Sequence, residues 1–184
     1  RGFAHQGWLS DDKRYIYLND EFDELDFGVP TSTHIIDVSI LTNARYVQSF
    51  GSGLSSTDHN LMVEGNFVFE ANYTSGLRIF RVDSPSLVTQ VGWFDTYPQN
   101  DNPGFNGAWG VYTKLPSGNI LVSDIQNGLF ILDATASMHL VGPGLPALSL
   151  LGMVMLSFLY IACTAWILWR RMVRKSIPGD PQRL

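Results

Sequence analysis

The sequence predicts an all-β chain, a partial β-propeller of about three four-stranded blades followed by one transmembrane helix. Three observations predict it. Short alternating runs broken by Gly, Asn, Asp and Pro fill residues 1–140, and none keeps helical periodicity beyond two turns. The same order of runs recurs three times, at intervals of roughly 50 residues. An uncharged apolar stretch then runs from 147 to 169.

The first copy opens with AHQGWLS (4–10) and the turn DDKR. It continues through YIYLND (15–20), a long acidic loop, THIIDVS (33–39) and ARYVQSF (44–50). The second runs DHNLMVEG (58–65), NFVFEAN (66–72), GLRIFRV (76–82) and LVTQVGWF (87–94). The third runs GAWGVYTKLPSG (107–118), NILVSD (119–124) and GLFILDA (128–134), with a weak fourth strand expected at 138–141. His5 and His59 are 54 residues apart, and His59 and Trp109 are 50 apart, which is close to the period of a propeller blade. Glu64-Gly65-Asn66 and Ser117-Gly118-Asn119 supply Gly and Asn where paired strands need φ > 0. Three blades cannot close a ring, so the first and last are expected to expose apolar surface. The chain opens on Arg1 in strand-rich material, and we expect it to be the C-terminal part of a longer protein. A β-sandwich is the other architecture that such strands permit.

The chain has 184 residues, which suits one compact domain with an appendage. Hydrophobic residues make up 45% and charged residues 16%, which excludes wholesale disorder. The single cysteine, Cys163, excludes an internal disulfide framework and a Cys-rich zinc site. The net charge of −5 argues against a nucleic-acid partner.

The charge is unevenly distributed. Residues 1–146 hold sixteen acids and seven Lys/Arg, a net of 7 − 16 = −9. Residues 170–184 hold five Lys/Arg against one acid, a net of +4. Between them, ALSLLGMVMLSFLYIACTAWILW is apolar all round, where a buried soluble helix would keep a polar stripe. As a helix it is about 34 Å long, enough for a hydrocarbon core of about 30 Å. Gly142, Pro143, Gly144 and Pro146 form a breaking linker (141–146) before it. Arg170, Arg171, Arg174 and Lys175 follow at once, whereas no basic residue occurs from 118 to 168. The positive-inside rule therefore puts the tail in the cytoplasm and residues 1–146 outside.

The strings AHQGWLS, NDEFDE, THIIDVS, DHNLMVEGNFVFEANYTSGLRIF, FDTYP and FNGAWGVYTKLPSGNILVSDIQNGLFIL together resemble the LVIVD-repeat proteins, more narrowly the choice-of-anchor B group. The resemblance covers about residues 3–133. It implies a secreted propeller-like domain carrying an interchangeable C-terminal anchor, and no particular activity. The anchor here resembles a plain span with an arginine-rich end, because no Pro-Glu-Pro or Gly-Gly sorting motif precedes it.

Several groups are candidates for chemistry. The acidic loop NDEFDELD (19–26) offers Asp20, Glu21, Asp23 and Glu24 as oxygen ligands for calcium or another divalent metal. The EF-hand spacing is absent, and a solvated charged loop is the plainer reading. His5 and His59 stand at equivalent places in the first strands of two blades. With Asp58 and a loop acid they can form a nitrogen–oxygen metal site at the channel, or simply bond between blades. The third copy has Asn106 and Trp109 at this place. Asp20 (or Asn19), Asn72 and Asp124 end the second strand of each copy, where short polar side chains bond turn amides or line one end of a channel. Asn72-Tyr73-Thr74 matches the glycosylation sequon. In the irregular segment 93–109, Trp93, Tyr97, Phe105 and Trp109 suit a protein or glycan partner.

No Gly-x-Ser-x-Gly elbow, extramembrane cysteine or phosphate loop occurs. The reading favoured is a membrane-anchored extracytoplasmic binding module. The alternatives are a metal-dependent hydrolase or oxidoreductase with its site at the channel, and a plain envelope scaffold.

Overall fold

The computed structural model describes residues 3–139. Eleven strands there form three antiparallel sheets, and within each sheet strands consecutive in sequence are hydrogen-bonded neighbours. The first sheet holds β1 (Ala4–Leu9), β2 (Tyr15–Asp20), β3 (Thr33–Asp37) and β4 (Arg45–Phe50), with the short helix α1 (Asp23–Phe27) between β2 and β3. The second holds β5 (Asn60–Glu64), β6 (Phe67–Ala71), β7 (Leu77–Ser84) and β8 (Leu87–Phe94). The third holds β9 (Ala108–Tyr112), β10 (Ile120–Asp124) and β11 (Gly128–Leu132). Gly65, at φ 59°, closes the tight β5–β6 turn, where a side chain would be strained.

The strand expected at 138–141 is corrected in part. Thr135–His139 is a helix, α2, and the rest of that stretch lies outside the described residues. The local chemistry explains it. The Asp133 carboxylate accepts the Thr135 N–H at 2.9 Å, and Met138 N–H closes an i→i−4 bond on the Ala134 carbonyl. Met138 then packs on the core between the second and third sheets.

The sheets are joined by two apolar cores. Tyr17 and Ile35 of the first sheet meet Leu61, Val63, Val68 and Phe80 of the second. Phe69, Ala71, Leu77 and Ile79 of the second sheet meet Ala108, Ile120 and Val122 of the third. The middle sheet is thus covered on both faces, which is why NLMVE and FVFEA lack the alternation of a half-exposed strand. In β6, Val68 faces the first sheet and Phe69 the third. The first strands of the sheets lie side by side, β1 against β5 and β5 against β9. The outer sheets leave Trp8, Leu9, Leu129 and Ile131 exposed.

No helix among the described residues is long and apolar enough to cross a membrane. The span predicted at 147–169, its linker at 141–146 and the basic tail at 170–184 lie outside them.

Candidate functional site

Two groups of ligand-type side chains gather where the first strands meet. The first is His5, Glu21 and His59, whose donor atoms all lie within 4.8 Å of one another. His5 comes from β1, Glu21 from the turn after β2, and His59 from the residue before β5. Glu21 Oε2 lies 3.2 Å from His5 Nδ1, and Glu21 Oε1 lies 3.5 Å from His59 Nε2. The imidazoles stack with centroids 4.6 Å apart. Tyr73 donates its hydroxyl to Glu21 Oε1 at 2.7 Å.

The tautomer of His59 follows from its partners. Its Nδ1 sits 2.6 Å from the Trp109 carbonyl oxygen, which can only accept, so Nδ1 carries a proton. Burial holds the imidazole below its ordinary pKa and favours the neutral ring. Neutral His59 then presents a lone pair at Nε2 toward a carboxylate oxygen that already accepts from Tyr73. Two acceptors facing each other call for a proton or a cation between them. Fixing the tautomer through a backbone carbonyl is also how metal-ligating histidines are oriented.

The second group is Asp23, Glu24 and Asp58. Asp23 and Glu24 begin α1, and Asp58 precedes His59. All three are buried. Burial, and then the Asp23 charge, push the Glu24 carboxyl up to about 9. Burial, and then the charges of Glu24, Glu70 and Asp23, push Asp58 up to about 9. Asp23 is raised by burial.

Another buried acid, Glu70 on β6, has both carboxylate oxygens partnered. It accepts the Thr33 hydroxyl at 2.6 Å and the Asn72 amide at 2.9 Å, and Asn19 in turn donates to Thr33 at 2.9 Å. Burial pushes Glu70 up to about 7 against the lowering effect of those bonds and of Arg78.

The structure thus divides the predicted metal residues. Glu21 joins the two histidines, and Asp23 and Glu24 join Asp58. Asp20 does neither, because its Oδ1 accepts the Phe3 N–H at 2.6 Å and the Phe22 N–H at 3.4 Å, a turn-capping role. Asp124 likewise accepts from the amides of Gln126 and Asn127. Asn72 is fully buried with its amide on Glu70, so it cannot act as the glycan acceptor that its sequon suggests. The acidic segment is partly helical, with Glu21, Asp23 and Glu24 turned inward.

The aromatic candidates also divide. Phe105 and Trp109 are exposed and both lie edge-on to Tyr73. Trp109 also lies against His59, with centroids 4.5 Å apart. Phe22 bridges Phe105 and Phe3, and Phe3 lies beside His5. The rings therefore close a rim around Glu21. Tyr97 is half-buried beside Gly107. Trp93 is exposed on β8, with the Arg78 guanidinium over its ring at 5.4 Å, and it is no part of the rim.

Tyr73 and Glu70 escaped the sequence reading as site residues. The signal for Glu70 was an acid between apolar residues in FVFEA. Nothing local marks Tyr73, whose place depends on a sheet-to-sheet bridge. No family model matches the chain, and none of the curated proteins is similar to it.

Proposed function

We propose that the chain is a membrane-anchored, extracytoplasmic binding module of the LVIVD-repeat, choice-of-anchor B type, built as part of a β-propeller. The observation that carries the binding reading is the aromatic rim. Exposed Phe3, Phe105 and Trp109 stand around the partly exposed His5 imidazole, with Glu21 and His59 buried behind it, so apolar rings and a hydrogen-bonding group are offered together. That combination suits the alternating CH faces and hydroxyls of a glycan, or a protein segment with the same mixture. The propeller reading is supported by the adjacent first strands and by the exposed apolar faces of the outer sheets, which neighbouring blades would cover. The anchor and its orientation are supported by the apolar 147–169 stretch and the arginines after it.

Titration of the detergent-solubilised full chain with a panel of oligosaccharides and peptides, read by tryptophan fluorescence, tests the module. A saturable change lost in Trp109→Ala and Phe105→Ala is expected. A response that survives both variants overturns the rim as the binding surface. Protease digestion of intact cells tests the orientation, with cleavage of residues 1–146 from outside expected and full protection contrary to it.

A second reading, a metal-dependent hydrolase or oxidoreductase, is favoured by one specific observation. His59 Nε2, His5 Nδ1 and the Glu21 oxygens converge with unfilled acceptor capacity. The donor set suits Zn²⁺, Mn²⁺ or Fe²⁺. Metal analysis with Zn²⁺ and Mn²⁺ binding isotherms tests it. Loss of binding in both His5→Ala and His59→Ala is expected, and unchanged isotherms overturn it.

A further inference from the structure

We infer that Asp23, Glu24 and Asp58 form an oxygen-only site for a hard divalent cation, Ca²⁺ above others, separate from the histidine cluster. The deciding observation is Glu24. Its side chain is 1% exposed and aimed into the group, yet neither carboxylate oxygen makes a well-formed hydrogen bond, although the Asp23 carboxyl and the Glu24 and Asp58 N–H groups lie near it. Roughly nine in ten or more buried polar groups find one. Asp58 is 0% exposed with Oδ1 unpartnered, and Asp23 leaves Oδ1 unpartnered as well. Four buried oxygens are thus free in one place.

Among the described residues no basic side chain forms an ion pair with any of the three. Asp58 has one bond of its own, from the Ser32 N–H to Oδ2 at 3.3 Å, which leaves Oδ1 free. By contrast, Glu70 is just as buried and has both oxygens satisfied. The fold can satisfy a buried carboxylate where it needs no ligand. It leaves these three unsatisfied together.

Donor type and number select the cation. The donor atoms lie within 4.8 Å of one another, close enough for one ion to bridge them. Ca²⁺ takes about six to eight oxygens in flexible geometry, whereas Mg²⁺ keeps several waters and is usually held by one or two carboxylates, so three converging carboxylates favour Ca²⁺. Carboxylates without sulfur or nitrogen do not favour soft metals. Backbone carbonyls and water would complete the shell. The site joins α1 to the segment before β5, so the cation would tie the first sheet to the second. Its occupancy does not depend on the rim binding a ligand.

The test uses the full chain in detergent, stripped with EDTA and melted with increasing CaCl₂ or MgCl₂ at neutral pH, alongside equilibrium dialysis with radioactive calcium. We expect one calcium bound per chain. The melting temperature should rise by roughly 5–10 °C at a hundredfold excess over the dissociation constant, with a weaker response to magnesium. Glu24→Gln and Asp58→Asn should lose the rise and the bound calcium, and His5→Ala should keep both. Where a variant fails to fold, dialysis on the native chain decides. No bound calcium, or a calcium response equal in Glu24→Gln, overturns the site. Loss of the response in His5→Ala but not in Glu24→Gln would move the cation to the histidine cluster and also overturn it.

Discussion

Tyr73 donates its hydroxyl to Glu21 Oε1 at 2.7 Å, across 52 positions of sequence, from a backbone turned to φ 39°. A non-glycine residue at positive φ is uncommon and costs free energy. Here it is held by two backbone bonds with Ala108, Tyr73 N–H to Ala108 O at 3.0 Å and Ala108 N–H to Tyr73 O at 2.9 Å. One residue thereby links the turn of the second sheet, the first strand of the third and the acid of the first. Burial and the bond to Glu21 both raise the phenol pKa, so the hydroxyl stays protonated and remains a donor.

Tyr73→Phe removes that donor and keeps the ring. It leaves Glu21 with one fewer partner in a buried place, at a cost of about 1–3 kcal/mol. Thermal unfolding of the full chain should show a lower melting temperature. Tyr97→Phe, on a half-buried ring with no hydroxyl bond among the described residues, should leave it nearly unchanged. Equal melting temperatures for both variants would contradict the coupling.

Gly107 makes the same junction possible. Its φ is 93°, and a Cβ there would overlap the Tyr73 carbonyl oxygen. Its N–H donates to Gln126 at 2.7 Å, and Gln126 donates in turn to Asn106. Gly107→Ala meets backbone, which cannot move aside as a flexible side chain would. The expected cost is about 2–4 kcal/mol. Gly104→Ala also carries positive φ but meets nothing within 4 Å, so it should cost less. The difference between their melting curves separates close approach from backbone strain alone.

The repeats were legible because their cause is local. Alternation and Gly–Asn turns are written within a few residues, as in Glu64-Gly65-Asn66, and they put all eleven strands near their expected places. The third copy shows where this fails. Helix α2 depends on a bond from Thr135 to Asp133 and on packing of Met138, and its short apolar run reads equally as a strand. The site was half legible. The equivalence of His5 and His59 followed from the repeat, and the structure stacks them. The sorting of Asp20, Glu21, Asp23 and Glu24 was hidden, because it depends on which way α1 turns each side chain. Glu70 and Tyr73 owe their roles to partners 37 and 52 residues away.

Glu70 sets a pH dependence whose sign can be worked out. Its folded pKa is about 7 against an ordinary 4.5, with burial the main cause. The folded state therefore holds its proton more tightly than the unfolded chain does. The stability this contributes is fully present below about pH 4.5 and is lost as pH rises through about 7. The groups facing it are the Thr33 hydroxyl, the Asn72 amide, and the charges of Arg78 and Asp58. Glu70→Gln cannot ionise, so its melting temperature relative to the native chain should climb between pH 4.5 and 7. Parallel curves would mean that Glu70 is not protonated in that range.

His5 and His59 offer the sharpest separation of packing from ligation. His59 is 1% exposed, stacked on His5 and flanked by Tyr73 and Trp109, while the His5 side chain is 29% exposed. His59→Ala opens a cavity and leaves the Trp109 carbonyl with the Asn60 amide as its partner at 2.9 Å, so the cost of about 2–4 kcal/mol comes from lost packing. His5→Ala removes a partly solvated ring and should cost less than about 1 kcal/mol. If the two imidazoles only fill space, zinc should change neither melting curve. If they ligate, each variant loses one of the three donors, so both should lose the zinc response although their metal-free stabilities differ. Zinc melts of the native chain and the two variants distinguish these outcomes. A zinc response that survives in His5→Ala would remove the histidine pair as a metal centre and leave His59 a structural residue of the sheet junction.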